Sequence, residues 1–247
     1  MTALRLNTGL NVDRLAQEFK EHRRVRIYDL LEREDAEALH AHLEDQDDWW
    51  RLINTPDGIL EYDRRAWQRL GVRRRRALDE QVFAQARDGF QYRYEGLRVP
   101  DDPDRLEEDD DPLTAFARLM DSDDMLRMLR RITGQRDIGF SDGHATAYSP
   151  GDFLTEHDDD VPGKGRLAAY VYGLTRAWRP EWGGILMFHR DDSAMIDGHV
   201  PRFNTLDLFA VPQQHSVSMV TPSAPVRRFA VTGWLRASLP DGYGNAE

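Results

Sequence analysis

Cysteine is absent from this 247-residue chain, which excludes disulfides and thiolate metal sites and leaves any metal to His, Asp or Glu. Lysine is nearly absent as well. Lys20 and Lys164 are the only two, so arginine carries the positive charge, a bias of base composition rather than of function. No apolar run approaches the roughly 20 residues that a membrane span needs, and Met1–Asn7 has no long apolar core, so neither a membrane partner nor a signal peptide is expected. A soluble cytoplasmic protein is the default expectation. An excess of basic charge is lacking too: the formal net charge is −11, which argues against a nucleic-acid surface, where basic patches dominate affinity. The local exception, Arg73-Arg74-Arg75-Arg76, points in all directions on a helix and reads as solvated surface.

What is present is a globular composition, 40% hydrophobic and 10% aromatic, in a chain long enough to bury a substantial core. The pattern of the first half is mainly helical. Val12, Leu15 and Phe19 share one face of a helix over 12–21, and Ala36, Leu39 and Leu43 one face of a helix over 34–43. His40 and His42 in that helix point to different faces and are expected at an ordinary surface. Residues 24–28 and 90–94 alternate as strands, Thr55-Pro56-Asp57-Gly58 is a turn, and 64–85 reads as one helix. The acidic, proline-bearing run from Pro100 to Pro112 is expected to be an exposed loop. A long helix or helix pair over 113–132 ends at Gly134 as a C-terminal cap.

After Gly139 the period shortens to two. Strand-like runs at 145–149, 167–174, 184–188, 205–210, 216–220 and 229–235 are separated by Gly, Pro, Asn and Asp, the signature of an all-β sandwich or barrel. The expected fold is therefore mainly β with α. Residues 1–135 form a helical and strand extension that packs on a β core at 136–247, the two making one catalytic unit.

The chemistry lies in the β half. His157 and Asp159 form a His-x-Asp pair, and His215 follows much later beside a strand-like run. Two histidines and one carboxylate are the facial triad that holds Fe(II) and leaves three positions open, as an oxidation must if it seats O2 and an electron-donating co-substrate together. On an extended segment residues i and i+2 point the same way, so Asp158 is expected to face away. Arg228, opening the last strand, suggests a co-substrate with a distal carboxylate, such as 2-oxoglutarate.

In order, spacing and glycines the stretch from Phe140 to Leu239 resembles the Fe(II)/2-oxoglutarate-dependent oxygenases, and within them the prolyl 4-hydroxylase branch, both its ribosomal and its oxygen-sensing types. The resemblance rests on Tyr148 through Asp159, on Arg166 leading the strand to Leu174, and on Trp178 with Trp182-Gly183-Gly184 through Phe188. It continues through Pro201–Leu206, Phe209, His215–Val217 and Arg228–Trp234. It implies a double-stranded β-helix, a jelly roll with the iron at its mouth. By the same resemblance His157, Asp159 and His215 are iron ligands, and Arg228 pairs with the distal carboxylate of 2-oxoglutarate, a task suited to a bidentate guanidinium. Tyr148 and Tyr172 match tyrosines of the co-substrate pocket, and Thr232, on the same strand face as Arg228, adds a hydroxyl. Arg166 matches a position that helps hold a peptide substrate. The implied reaction hydroxylates a C–H bond, of a prolyl residue in a protein or peptide, releasing succinate and CO2. Neutral imidazoles are required as ligands, so activity is expected to fall as pH drops through histidine protonation.

Three departures stand out. Gly173 replaces the usual leucine after Tyr172 and is expected to loosen the strand or mark a bulge. Arg227 precedes Arg228, so register from Trp234 decides between them. The interval from His215 to Arg228 is longer than in the oxygen-sensing relatives. Alone, each motif has a plain account as a core histidine, solvated loop or core aromatic; the ordered set is what points to a metal site. His144, His189 and His199 fall outside it and are expected to be structural or exposed. Trp178 and Trp182 fit core packing as well as substrate contact, and Gly183-Gly184 is a turn and close-approach pair. Two other functions use the same residues: hydroxylation of a free amino acid or metabolite, and a jelly-roll module that binds without turnover. The pattern carries no signal for an oligomeric state.

Overall fold

Helices and strands form where the apolar period changes from about 3.6 to two, and the computed structural model, which describes residues 3–99, 110–189 and 196–237, follows that change. Helix α1 (Val12–His22) starts at Asn11, whose side chain accepts from the Arg14 N–H, and buries Leu15 and Phe19. Helix α2 (Arg33–Asp45) buries Ala36, Leu39 and Leu43. The single helix expected over 64–85 is two, α3 (Arg64–Arg69) and α4 (Val72–Gln85), separated at Gly71. Glycine destabilises a helix interior by about 0.5–1 kcal/mol relative to alanine, and here it marks the break. Helix α5 (Pro112–Met120) is capped by Asp111 and has Pro at its first turn. Helix α6 (Asp123–Thr133) runs from a Ser122 cap to Gly134, whose φ of 72° closes it in the left-handed region. Of the acidic run, residues 100–109 lie outside the described part of the chain. Among the described residues no helix is long and apolar enough to cross a membrane.

The strands are β1 (Arg24–Tyr28), β2 (Trp50–Thr55), β3 (Gly58–Asp63), β4 (Tyr92–Arg98), β5 (Ile138–Ser141), β6 (His144–Tyr148) and β7 (Phe153–His157). They continue with β8 (Arg166–Gly173), β9 (Leu186–His189), β10 (Ile196–His199), β11 (Thr205–Ala210), β12 (His215–Val217) and β13 (Arg228–Ala237). Pairing is antiparallel in the order β1-β11-β8-β13-β6-β4-β7-β12-β9-β10, with the β2–β3 hairpin attached through β4 and β5 through β13. This mostly antiparallel arrangement, with helices on its outside, is the jelly-roll class expected from the sequence. Strand β4 is the link between its two arms: residues Glu95–Arg98 pair with β6, and Tyr92–Arg93 with β7.

Strand alternation sorts the side chains of the main sheet onto two faces. On the outer face Tyr170, Tyr172, Phe229, Val231 and Leu235 pack with Leu39, Phe116 and Leu129 of the helices. On the inner face Ala169, Val171, Ala230, Tyr148 and Phe209 form a second cluster. The Phe116 ring stacks on Tyr172 at 4.7 Å; burying one such ring stabilises by about 1.5–3 kcal/mol. His40, expected at the surface, is instead buried, edge-on to Phe203 at 6.0 Å and Phe229 at 5.9 Å. It shares the core face of α2 with Ala36, Leu39 and Leu43, and the imidazole body packs like an aromatic ring.

A buried ion cluster fixes the turn before β7. Asp152 meets Arg51 at 2.5 Å and Arg93 at 3.1 Å, and accepts from the Ser149 N–H at 2.9 Å. Charges taken out of water persist only when paired and hydrogen-bonded, so this cluster ties β2 and β4 to the connection between Tyr148 and His157.

Candidate metal centre and co-substrate pocket

His157 ends β7 and His215 opens β12, and the two are register partners whose rings lie 4.0 Å apart between centroids. Asp159 arrives differently from the extended arrangement expected. The strand stops at His157, and Asp159 has a φ of 64°, the left-handed region that Asp tolerates better than most residues. That turn swings its carboxylate back to the histidines: Oδ1 lies 3.6 Å from His157 Nε2 and Oδ2 3.5 Å from His215 Nε2. Asp158, expected to face away, still borders the same cavity.

The hydrogen bonds around the triad fix the tautomer of each imidazole. His157 Nδ1 donates to the Thr155 carbonyl at 3.0 Å, and His215 Nδ1 to the Gln213 carbonyl at 2.7 Å. Each Nε2 therefore carries a lone pair, and these two nitrogens converge with a carboxylate, all ligand atoms within 4.8 Å of one another. Burial, aided by His157, pushes His215 down to about 4, so its imidazole stays neutral. Three lone-pair donors facing one point repel one another unless a cation lies between them, and the nitrogen–oxygen set suits Fe(II). Arg166, also on the cavity wall, donates to the Asp159 main-chain carbonyl at 3.2 Å and lies 3.6 Å from its Oδ1, with the guanidinium 3.6 Å from the centre of the Trp234 ring.

One cavity of about 490 Å³ borders His157, Asp159, His215, Arg228, Tyr148, Thr232 and Arg166. Arg228 is 4% exposed and sits opposite Tyr148 across the β13–β6 ladder, its guanidinium 4.9 Å from the ring centre. Burial lowers its pKa, with Tyr148 and Asp207 acting the other way. Among the described residues no carboxylate or hydrogen-bond acceptor pairs with it. Gly184 leaves the room it needs, since a Cβ there would stand 3.1 Å from Arg228 Cδ. Arg227 points to the opposite face, 3.1 Å from Glu95 and stacked over Phe229 at 4.8 Å. Register thus separates the two arginines: only Arg228 faces the cavity.

Tyr172 does not belong to this pocket. Its hydroxyl donates to Asn204 Oδ1 at 2.7 Å under the helices, on the outer face. Strand positions alternate, and Val171 and Ala169, the partners of Thr232 and Trp234, occupy the inner face instead. No bulge interrupts the strand before Gly173: pairing with β11 and β13 runs unbroken from Ala169 up to it, the last residue of β8. The glycine is required because a Cβ there would collide with the Arg202 carbonyl.

Several lining residues were not legible as such. His144 and Thr146 share the inner face of β6 with Tyr148, and Tyr92 and Tyr94 come from β4. For His144 the signal was present, since it lies four positions before Tyr148 on one strand. For the β4 tyrosines it was not, because nothing local reveals that β4 pairs with β6. His189, bonded to Ser216 Oγ at 2.7 Å, and His199, bonded to Asp207 at 2.7 Å, are structural. Trp178 and Trp182 pack edge-on against each other at 5.5 Å, off the cavity lining.

Residues 143–236 match the family model described as the 2OG-Fe(II) oxygenase superfamily, a family that uses Fe(II), 2-oxoglutarate and O2. Among solved structures, the chain is similar to a prolyl-4-hydroxylase from Pseudomonas putida, with 17% identity and a TM-score of 0.56 over 92% of this chain and 100% of that one. It is also similar to a prolyl hydroxylase from Trichoplax adhaerens in complex with a hypoxia inducible factor oxygen degradation domain peptide fragment (15% identity, TM-score 0.60, 92% and 89% covered). A third is a non-heme alpha ketoglutarate dependent epimerase from nogalamycin biosynthesis (11% identity, TM-score 0.53, 96% and 91% covered). At these identities the likeness is one of fold. A search of curated protein sequences finds no match.

Proposed function

The chain carries a 2OG-Fe(II) oxygenase domain over residues 143–236, and from that premise we propose that this 2-oxoglutarate-dependent dioxygenase hydroxylates an unactivated C–H bond of a prolyl residue in a protein or peptide. The observation that carries this reading is a buried guanidinium, Arg228, with no acidic partner among the described residues, in the same cavity as a convergent His157-Asp159-His215 set. When bound, Fe(II) with 2-oxoglutarate and O2 supplies the oxidising power: one oxygen atom ends in succinate, released with CO2, and the other in the hydroxylated product.

The chain's own groups do the rest. His157, Asp159 and His215 hold the metal, the two imidazoles oriented with Nε2 towards it by the Nδ1–H bonds to the Thr155 and Gln213 carbonyls. Arg228 receives the distal carboxylate of 2-oxoglutarate in a bidentate pair, with Tyr148 as the adjoining wall and the Thr232 hydroxyl on the same face. Arg166 keeps Asp159 in place and stands at the substrate side beside Trp234. The aromatic wall of Tyr92, Tyr94 and Phe209 excludes water from the cavity. Residues 1–135 belong to the same catalytic unit on this reading, because β4 contributes part of that wall.

A peptide substrate is supported by the Trichoplax relative of the same fold, whose structure holds a peptide fragment. The epimerase among the similar folds supports a second reading, C–H chemistry on a small metabolite. Mass spectrometry on the host proteome with and without the protein, together with succinate release from 2-oxoglutarate and Fe(II), separates the two. Oxygen gained on a protein prolyl residue upholds the first reading; succinate release with no protein modified would overturn it.

A further inference from the structure

A third imidazole faces the cavity and takes no part in holding metal. His144 lies on the inner face of β6, opposite Thr232 on β13 and Arg98 on β4. Its ring stands between Tyr94, 6.4 Å away with 24° between planes, and Trp234, 6.3 Å away with 33° between planes. Among the described residues neither of its nitrogens has a hydrogen-bond partner. His144 is half-buried and lines the cavity, so a ligand that displaces water from it must supply hydrogen bonds or leave its nitrogens unpaired at a cost.

The position of His144 says what that ligand is. A second groove of about 300 Å³ adjoins the cavity and shares Ile59, Tyr92, Tyr94, His144 and Trp234 with it, running on beneath the β2–β3 hairpin. Its charged groups are already paired with each other, Arg98 with Glu61 and Arg236 with Asp142. No net charge is left over for a zwitterion, whose ammonium and carboxylate would be desolvated without compensation. A neutral imidazole instead offers one N–H donor and one lone pair, the complement of a main-chain amide. We propose that His144 is a specificity-determining residue that hydrogen-bonds a main-chain amide of an extended peptide running from the metal cavity into the groove. This rests on the hydroxylase reading above and names its substrate as a segment of several residues rather than a free amino acid.

The test is binding without turnover. The protein loaded with Mn(II) and 2-oxoglutarate is titrated with free proline and with capped peptides of three and nine residues centred on proline, while the fluorescence of the groove tryptophans Trp50 and Trp234 is followed. The nine-residue peptide is expected to bind about tenfold more tightly than the three-residue one, and His144→Leu to remove about that factor. His144→Gln, whose amide also donates and accepts, is expected to stay within about threefold of the parent. A filler of space alone would not be rescued in this way. Equal binding of all three ligands, or full affinity in His144→Leu, would overturn the proposal. If His144→Leu fails to fold, Ile59→Arg, at a hairpin position 54% exposed, narrows the shared mouth. It should abolish the preference for length, and a preserved preference overturns the groove. Tight peptide binding with no oxygen gained under Fe(II) and O2 would uphold this inference and sink the hydroxylase reading.

Discussion

Arg228 and Tyr148 face each other across the β13–β6 ladder, the guanidinium 4.9 Å from the ring centre with both groups buried. An arginine is rarely enclosed without an anion, and the tyrosine face compensates only part of the lost hydration. On the proposed function the balance is the distal carboxylate of 2-oxoglutarate.

Arg228→Ala is accordingly expected to weaken 2-oxoglutarate binding by at least about 30-fold, the lower end of the cost of truncating one partner of a buried charge pair. Arg227→Ala should leave it unchanged, because Arg227 pairs with Glu95 on the other face. Titration of the Mn(II)-loaded protein with 2-oxoglutarate checks both. Reversed results would mean that the strand phase assigned to β13 is wrong.

His157→Ala, Asp159→Ala and His215→Ala should each abolish succinate formation and lower metal affinity by at least about tenfold, since each removes one of the three groups proposed to hold the metal. Calorimetric titration with Mn(II) measures the second effect without relying on turnover. Full metal affinity in Asp159→Ala would remove that residue from the set.

Tyr172 is the case where resemblance and structure part, and the error is one of phase. A shift of one residue moves a strand side chain to the other face, and motif similarity in the run Tyr170-Val171-Tyr172 does not fix which face is which. That His157, Asp159, His215, Arg228, Tyr148 and Thr232 border one cavity was legible, because motif spacing and local alternation place them. The bend at Asp159, the burial of His40 and the insertion of β1 and β4 into the sheet were not. Each depends on a partner distant in sequence, such as β11 for β1 and β6 for β4.

Tyr172→Phe follows from that placement. It removes the hydroxyl that donates to Asn204, itself bonded to the Leu31 backbone. The expected loss is about 1 kcal/mol of stability with 2-oxoglutarate affinity unaltered. Urea unfolding and co-substrate titration read the two effects separately. Weaker co-substrate binding at full stability would return Tyr172 to the pocket.

Gly173→Ala should destabilise by about 1–3 kcal/mol, as overpacking does, because the added Cβ meets a backbone carbonyl, that of Arg202. A flexible side chain would move aside; the carbonyl preceding Thr205 of β11 has less freedom. A lower urea midpoint at constant slope is the expected result, and an unchanged midpoint would show that the Arg202 loop yields.

Acid sensitivity of the metal-free protein tests the state of His144. Burial, with Arg98 adding to it, pushes its imidazole down to about 4, against roughly 6.5 in an unfolded chain. Between those values the unfolded state binds a proton that the native state refuses. Stability therefore falls as pH drops through about 6.5 and stops falling, for this group, below about 4. The slope is about 1.4 kcal/mol per pH unit for one proton. His40, lowered chiefly by burial, contributes in the same direction. Asp35, Asp111 and Asp207 have depressed pKa values, so their losses begin lower, as pH falls through the carboxylate range. Urea midpoints at a series of pH values for the parent and His144→Gln isolate the contribution of His144. The variant should lose up to one proton's worth of slope between about pH 6.5 and 4. Superimposable profiles would mean that His144 is protonated as readily in the fold as in the unfolded chain, and so is not held dry on the cavity wall.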